Sequence, residues 1–219
     1  MELNIEEALR YLGAGSGAPE ALRRETETMA ARLTAAVRPR YVYRVFPLVR
    51  EGDAFLLSGS GVTLTGRSAR TMLAQCGRAA LLACTLGAGF DAMLRAEQAR
   101  GMDGAVILDA CGGAWVEAGC NAAEEELRGK LPGAYLTDRF SPGYGDLPLE
   151  LQPAVCSALD AERRIGIHVS ESFLINPVKS VTAVIGISDR PQMARIRGCA
   201  FCSMNKTCAL RKGGKSCAI

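Results

Sequence analysis

The sequence predicts an α+β fold: a mainly antiparallel sheet with flanking helices, plus a small Cys-rich appendage at the C-terminus. Three observations carry this. Strand-like and helix-like segments are interspersed without the regular βαβ repeat of a parallel sheet. At 219 residues and 48% hydrophobic, the chain can bury a sizeable core over a domain spanning residues 1–190. Residues 191–219 hold four cysteines and no acid, a composition suited to an appendage without its own apolar core.

Taken in order, Asn4 to Leu12 reads as a short helix ended by Gly13-Ala14-Gly15. Ser16 or Gly17 leads into a long amphipathic helix with Leu22, Met29, Leu33 and Val37 on one side and Arg23, Arg24, Glu25 and Glu27 on others; Pro39 closes it. Tyr41 to Val49 and Ala54 to Leu57 are rich in β-formers around an Arg50-Glu51-Gly52-Asp53 turn, a hairpin signal. Gly59-Ser60-Gly61 suggests a phosphate loop, but it lacks a third glycine and opens no helix, so a turn is expected. A helix follows over Thr65–Gln75, a buried strand over Arg78–Thr85, and a helix over Gly89–Gln98. Met102 to Lys130 reads as mostly helical despite Gly112-Gly113, a pair that invites close packing against a neighbour. Leu147 to Arg164 gives a helix with Leu151, Val155 and Leu159 at four-residue spacing, and Ile167–Phe173 and Ser180–Ser188 read as strands.

The net charge of +3 hides an asymmetry. Beyond Asp189 stand seven basic residues and no acid, so residues 1–189 carry −4 and the tail +7. Such a tail suits an anionic partner, but Phe201 is its one aromatic, which argues against nucleic acid. No apolar run reaches the roughly 18 residues that a membrane helix needs. The best candidate, from Ala79, is interrupted by Gly87 and Gly89 and stops at Asp91. The acidic start, Met1-Glu2-Leu3-Asn4-Ile5-Glu6-Glu7, is no signal peptide, so a cytoplasmic protein without a membrane partner is expected.

The segment richest in chemistry is Arg139-Phe140-Ser141-Pro142-Gly143-Tyr144-Gly145-Asp146-Leu147-Pro148. Proline presets φ and glycine accepts positive φ, so Pro142-Gly143 predicts a turn that brings Arg139 and Tyr144 near one point, with free backbone groups between them. A guanidinium fork there suits the carboxylate of a small zwitterion. Asp146 and Glu150 are placed to cap the helix that follows. His168 is the chain's one histidine, so neither a histidine-based triad nor a multi-histidine metal site is available.

Arg139-x-x-Pro-Gly-Tyr144, with Ser170-Glu171-Ser172-Phe173 and Asn176-Pro177-Val178-Lys179-Ser180-Val181-Thr182 after it, resembles the activation domain of cobalamin-dependent methionine synthase. The likeness is good over 136–188 and fainter over 59–130, where Thr85-Leu86-Gly87 is similar to a family segment. It implies binding of S-adenosylmethionine and support for reductive methylation of a cob(II)alamin cofactor. That chemistry needs proximity more than a general base. It further implies that Arg139 takes the methionine carboxylate, that backbone groups of Ser141 and Pro142 contact the ligand, and that Gly143 permits close approach. Tyr144 would lie beside the corrin as the catalytic aromatic. Ala114-Trp115-Val116-Glu117-Ala118 resembles the stretch with an acidic ligand contact, making Glu117 a candidate for the ammonium. Glu171 and Ser172, at a strand end, would support the turn. The family's N-terminal aspartate has no counterpart near Leu12-Gly13-Ala14. The chain has no Asp-x-His-x-x-Gly signature, so the cobalamin is expected on a partner: a corrinoid protein, or a methionine synthase core lacking this domain, served by a low-potential electron donor.

Cys76, Cys84, Cys111, Cys120 and Cys156 lie singly in apolar segments, as small buried hydrophobes do. Cys199, Cys202, Cys208 and Cys217 instead fall within 19 residues as C-x2-C-x5-C-x8-C, a set that predicts metal, either zinc or an iron–sulfur cluster. A second reading follows from it: a metal-binding interaction protein that keeps the fold without methyl transfer.

Overall fold

The computed structural model describes residues 1–14 and 17–191. It bears out the α+β class and the mainly antiparallel sheet with flanking helices. Six strands lie in the order β3-β2-β1-β4-β8-β5, with β1 Arg40–Glu51, β2 Ala54–Leu57, β3 Val62–Leu64, β4 Arg78–Thr85, β5 Tyr135–Leu136 and β8 Ser180–Ser188. A separate hairpin pairs β6 His168–Val169 with β7 Ile175–Asn176. The helices are α1 Ile5–Tyr11, α2 Glu20–Ala36, α3 Gly66–Leu73, α4 Gly87–Arg100, α5 Met102–Lys130, α6 Gln152–Leu159 and α7 Ala161–Ile165. Among the described residues no helix is long and apolar enough to cross a membrane.

The chain divides into two compact units, the first built from Met1–Val42, Ala83–Glu126 and Asp160–Val181. Its centre is α5, where Gly112 packs closely, as anticipated for the Gly112-Gly113 pair, and Gly119 does so as well. A Cβ on Gly112 would stand 2.4 Å from ring carbons of Phe90, and one on Gly119 would stand 2.7 Å from Cys84 Sγ. Phe90 and Cys84 are fully buried, so neighbouring backbone comes close enough to leave no room for a methyl group. Trp115 buries its indole and donates its Nε1 hydrogen to the Val37 carbonyl at 2.8 Å, at the end of α2. Thr85 accepts from the Gly87 amide at 2.9 Å where α4 begins.

The second unit comprises Tyr43–Leu82, Leu127–Leu159 and the described residues from Thr182 on. Gly52, with φ +59, turns β1 into β2, and Leu48↔Leu57 through Glu51↔Ala54 set the register. Gly59-Ser60-Gly61 is the β2–β3 hairpin loop: the Ser60 hydroxyl donates to the Leu57 carbonyl and accepts from the Val62 amide, so the loop is a turn, as expected. α3 packs Leu73 close to Gly186 of β8, where an added Cβ would lie 3.0 Å from Leu73 Cδ2. On α6, Gln152 is buried and accepts from the Thr182 hydroxyl at 2.6 Å.

Several expectations need correction. The amphipathic helix begins at Glu20, behind Pro19, rather than directly after Gly17; Ser16 lies outside the described residues. Leu147–Arg164 is not one helix but a 3-10 turn at Leu149–Leu151, then α6 and α7, because Asp160 takes left-handed backbone, φ +53, between the two. Ile167–Phe173 forms a strand only over His168–Val169; Glu171 and Ser172 sit in a turn closed by the Phe173 amide on the Ser170 carbonyl, with Phe173 at φ +63. They are therefore not at a strand end. The short strands β3, β5 and β7 are additional to the strands expected from the sequence.

Candidate functional site

Arg139 reaches its place through an irregularity in the sheet. β5 pairs with β8 through Tyr135↔Ser188 and Leu136↔Ile187, and pairing resumes at Phe140↔Val184. Three residues, Thr137 to Arg139, thus face two, Ile185 and Gly186, so one extra residue is inserted in the manner of a β-bulge. Thr137 keeps the ladder on one side, its amide donating to the Gly186 carbonyl and its hydroxyl accepting from the Gly186 amide. Phe140 and Val184 exchange two backbone bonds on the other. Arg139, caught between, is 9% exposed. A bulge re-aims the side chains around it, which is how a long cation becomes buried beside a sheet edge.

The following turn forms as the Pro-Gly pair predicts. The Tyr144 amide donates to the Ser141 carbonyl at 3.1 Å across Pro142 and Gly143, and Gly143 has φ +89, the signature of a type II turn. The Gly143 amide donates to the Leu147 carbonyl at 2.8 Å and the Leu147 amide to the Tyr144 carbonyl. The amides of Gly143 and Tyr144 are therefore engaged inside the turn, correcting the expectation of free backbone N–H groups there. Pro142 and Leu147 are buried, while Tyr144 is 76% exposed and its ring faces solvent.

Asp146 departs from expectation most. It does not cap the helix that follows. Its Oδ2 accepts from the Arg67 amide at 2.6 Å and its Oδ1 from the Ser68 amide at 2.9 Å, at the start of α3, 79 and 78 residues earlier in the chain. The Ser68 hydroxyl and these amides hold its carboxyl at a pKa of about 2. Glu150 lies exposed in the 3-10 turn. A signal for the Asp146 contact existed: Gly66-Arg67-Ser68 opens a helix with no acid in its first turn, leaving its amides in need of an acceptor.

Glu117 belongs to the first unit, half-buried on α5, where its neighbourhood is Tyr11. The Tyr11 hydroxyl donates to Glu7 Oε1 at 2.6 Å, which also takes Arg10 at 2.6 Å. Burial, then the bond to Glu7, then the charges of Glu7 and Glu117 push the Tyr11 phenol well above its ordinary value. Gly113, one helical turn from Glu117, leaves room for the Tyr11 ring: a Cβ would stand 3.2 Å from it. Tyr11 was not singled out from sequence. His168 is exposed on β6. Cys84, Cys111, Cys120 and Cys156 are buried, as expected of small hydrophobes, with Cys76 half-buried. Cys199, Cys202, Cys208 and Cys217 lie outside the described residues; among the described residues no group of three or more His, Cys, Asp or Glu is placed to hold a metal ion.

No protein-family model and no curated protein sequence matches the chain. A solved structure does: the crystal structure of the MetH reactivation domain bound to AdoHcy, with a TM-score of 0.63 at 20% identity, covering 81% of this chain and 68% of that one. At that identity the likeness shows a shared fold.

Proposed function

We propose that the chain binds S-adenosylmethionine at the Arg139–Tyr144 turn and supports reductive methylation of a corrinoid carried by a separate protein. The observation that carries this is the likeness to a domain bound to AdoHcy, the demethylated form of that ligand, in a chain that forms the Arg139-Pro142-Gly143-Tyr144 turn on the same fold. The residues suit such a ligand. Arg139, buried on the bulge, takes the carboxylate of the methionine moiety in the geometry a guanidinium fork favours. Ser141 and Pro142 flank the ligand through their backbone. Gly143 adds no side chain where the ligand must come close. Tyr144 is turned outward, suited to meeting the face of an incoming corrin. The corrinoid supplies a nucleophilic cobalt that accepts the methyl group of the sulfonium. The protein's share is orientation: holding the methyl group towards solvent and fixing the ligand's carboxylate end. A low-potential electron donor and a corrinoid protein or methionine synthase core complete the reaction as partners.

The test is calorimetric titration of S-adenosylmethionine and AdoHcy into the purified chain, with Arg139→Ala and Arg139→Lys. Saturable binding weakened by about 2–3 kcal/mol in Arg139→Ala, the scale of a lost charge-assisted pair, supports the reading. Arg139→Lys keeps the charge and loses the fork, so it falls between. Absence of binding in the wild type, with or without a corrinoid partner, overturns it.

Residues 191–219 we propose as a metal-binding appendage to a ligand-binding domain of residues 1–190. Cys199, Cys202, Cys208 and Cys217 offer the four thiolates that a zinc ion or an iron–sulfur cluster requires. Elemental analysis and the visible absorption of anaerobically purified protein, against Cys199→Ser/Cys202→Ser, separate zinc, iron and no metal. A chain that takes metal but not AdoHcy would be a metal-bearing interaction module on this fold.

A further inference from the structure

The turn that carries Tyr144 is held by three kinds of contact. Its internal bonds close it on itself but do not aim it. Pro142 and Leu147 bury apolar surface, an interaction without direction. Among the described residues, it is the bonds to the Asp146 carboxylate, at 2.6 and 2.9 Å from consecutive amides of α3 and from the Ser68 hydroxyl, that give the turn a directional hold from outside itself.

The backbone on both sides is shaped to permit them. At Gly66, with φ +95, a Cβ would lie 2.9 Å from Asp146 Oδ2 and 3.2 Å from the Asp146 carbonyl oxygen. At Gly145, with φ +61, a Cβ would lie 3.0 Å from Ser68 Oγ. A helix that needed only a cap could take one from Thr65, which stands in the cap position with extended backbone yet makes no cap bond through its side chain. α3 in turn is anchored at Gly186, whose amide donates to Thr137, two residues before Arg139. Asp146 thus closes a path from the Tyr144 end of the turn, through α3 and β8, to the Arg139 end.

We propose that Asp146 is a positioning residue for the ligand turn, tying Gly143 and Tyr144 to the N-terminus of α3 so that they keep their orientation relative to Arg139. This rests on placing the ligand at that turn. The experiment compares wild type, Asp146→Ala and the double variant Thr65→Asp/Asp146→Ala, which gives α3 a local cap while leaving the turn untied. AdoHcy affinity by calorimetry, the thermal midpoint, and amide hydrogen exchange at Tyr144, Leu147, Arg67 and Ser68 are read on each.

The expected result is AdoHcy binding at least about tenfold weaker in Asp146→Ala, the lower end of what a small misplacement costs. The double variant regains the thermal midpoint and the protection of α3, but neither the affinity nor the protection of Tyr144 and Leu147. Recovery of affinity in the double variant, or wild-type affinity in Asp146→Ala, overturns the proposal: Asp146 would then act only by stabilising α3. If the wild type binds no AdoHcy, the ligand assignment fails on its own, and exchange decides the tether. Faster exchange at Tyr144 and Leu147 in both variants upholds it, and unchanged exchange overturns it.

Discussion

Two short helices begin in opposite ways. α1 takes its cap from the residue before it: the Glu7 amide donates to Asn4 Oδ1 at 3.2 Å, and Glu6 and Glu7 place acids in the first turn. α3 has Thr65 in the same position, but its side chain makes no cap bond and no acid follows; the acceptor is Asp146, brought from the next segment of the second unit, 78 residues or more along the chain. A local cap stabilises one helix and nothing else. A borrowed cap makes the helix and the loop that supplies it a single cooperative object, so a change in either is felt in both.

The largest effect expected from this contrast is at Gly66. Gly66→Ala puts a non-glycine residue at φ +95 and a methyl group 3.2 Å from the Asp146 backbone, which cannot swing aside as a side chain can. Left-handed strain and overpacking together predict a loss on the order of 2–4 kcal/mol in urea unfolding, with Tyr144 and Leu147 losing exchange protection as well. An alanine at Gly66 that left the turn protected would show the two to be independent, and the contrast would collapse.

That contrast also marks what the sequence discloses. β4 and β8 fall at the limits that the sequence predicts, Arg78–Thr85 and Ser180–Ser188, because mostly apolar runs of strand length leave little alternative. The mostly helical stretch expected over Met102–Lys130 is one unbroken helix, since packing on Phe90 and Tyr11 outweighs the propensity cost of Gly112-Gly113. The Pro142-Gly143 turn was legible because its chemistry is local. What escaped depends on distant partners or on backbone that residue type does not announce. Asp160, not glycine, takes φ +53 and splits a helix; the bulge that buries Arg139 is visible only in the register between β5 and β8. The sequence marks Asp146 as a cap for the helix that follows it, because nothing in its own neighbourhood names Arg67 and Ser68.

A smaller effect separates the two caps directly. Asn4→Ala and Asp146→Ala each remove a cap acceptor, a loss of about 1 kcal/mol in the first case. The second is expected to cost more, because two amides lose their acceptor and the turn is released with them. The sharper distinction is locality: in Asn4→Ala, exchange at Tyr144 stays as in the wild type, whereas in Asp146→Ala it rises. Equal exchange profiles in the two variants would mean that a borrowed cap behaves like a local one.

The smallest effect is in acid, and there the two caps differ in kind. Asn4 does not titrate. Asp146 does, and in the folded chain the Ser68 hydroxyl and the amides of Ser68 and Arg67 hold its carboxyl at about 2, below its ordinary value of 3.8. A lowered carboxyl stabilises the fold fully above that ordinary value, and the contribution is lost as pH falls through 3.8 towards 2. Glu6, held low by Arg23, and Glu97, held low by Arg32, act with the same sign, so the acid limb of wild-type stability alone does not identify Asp146. The difference curve does. Asp146→Asn keeps the shape and one acceptor but cannot titrate, so the gap in stability between wild type and variant is constant from pH 7 to about 5 and narrows between about 4 and 2. Exchange at Tyr144 in the wild type, corrected for its intrinsic pH dependence, accelerates over the same window. Asn4→Ala shows neither change, and a gap that stayed constant down to pH 2 would place the hold on the turn elsewhere than in the Asp146 carboxylate.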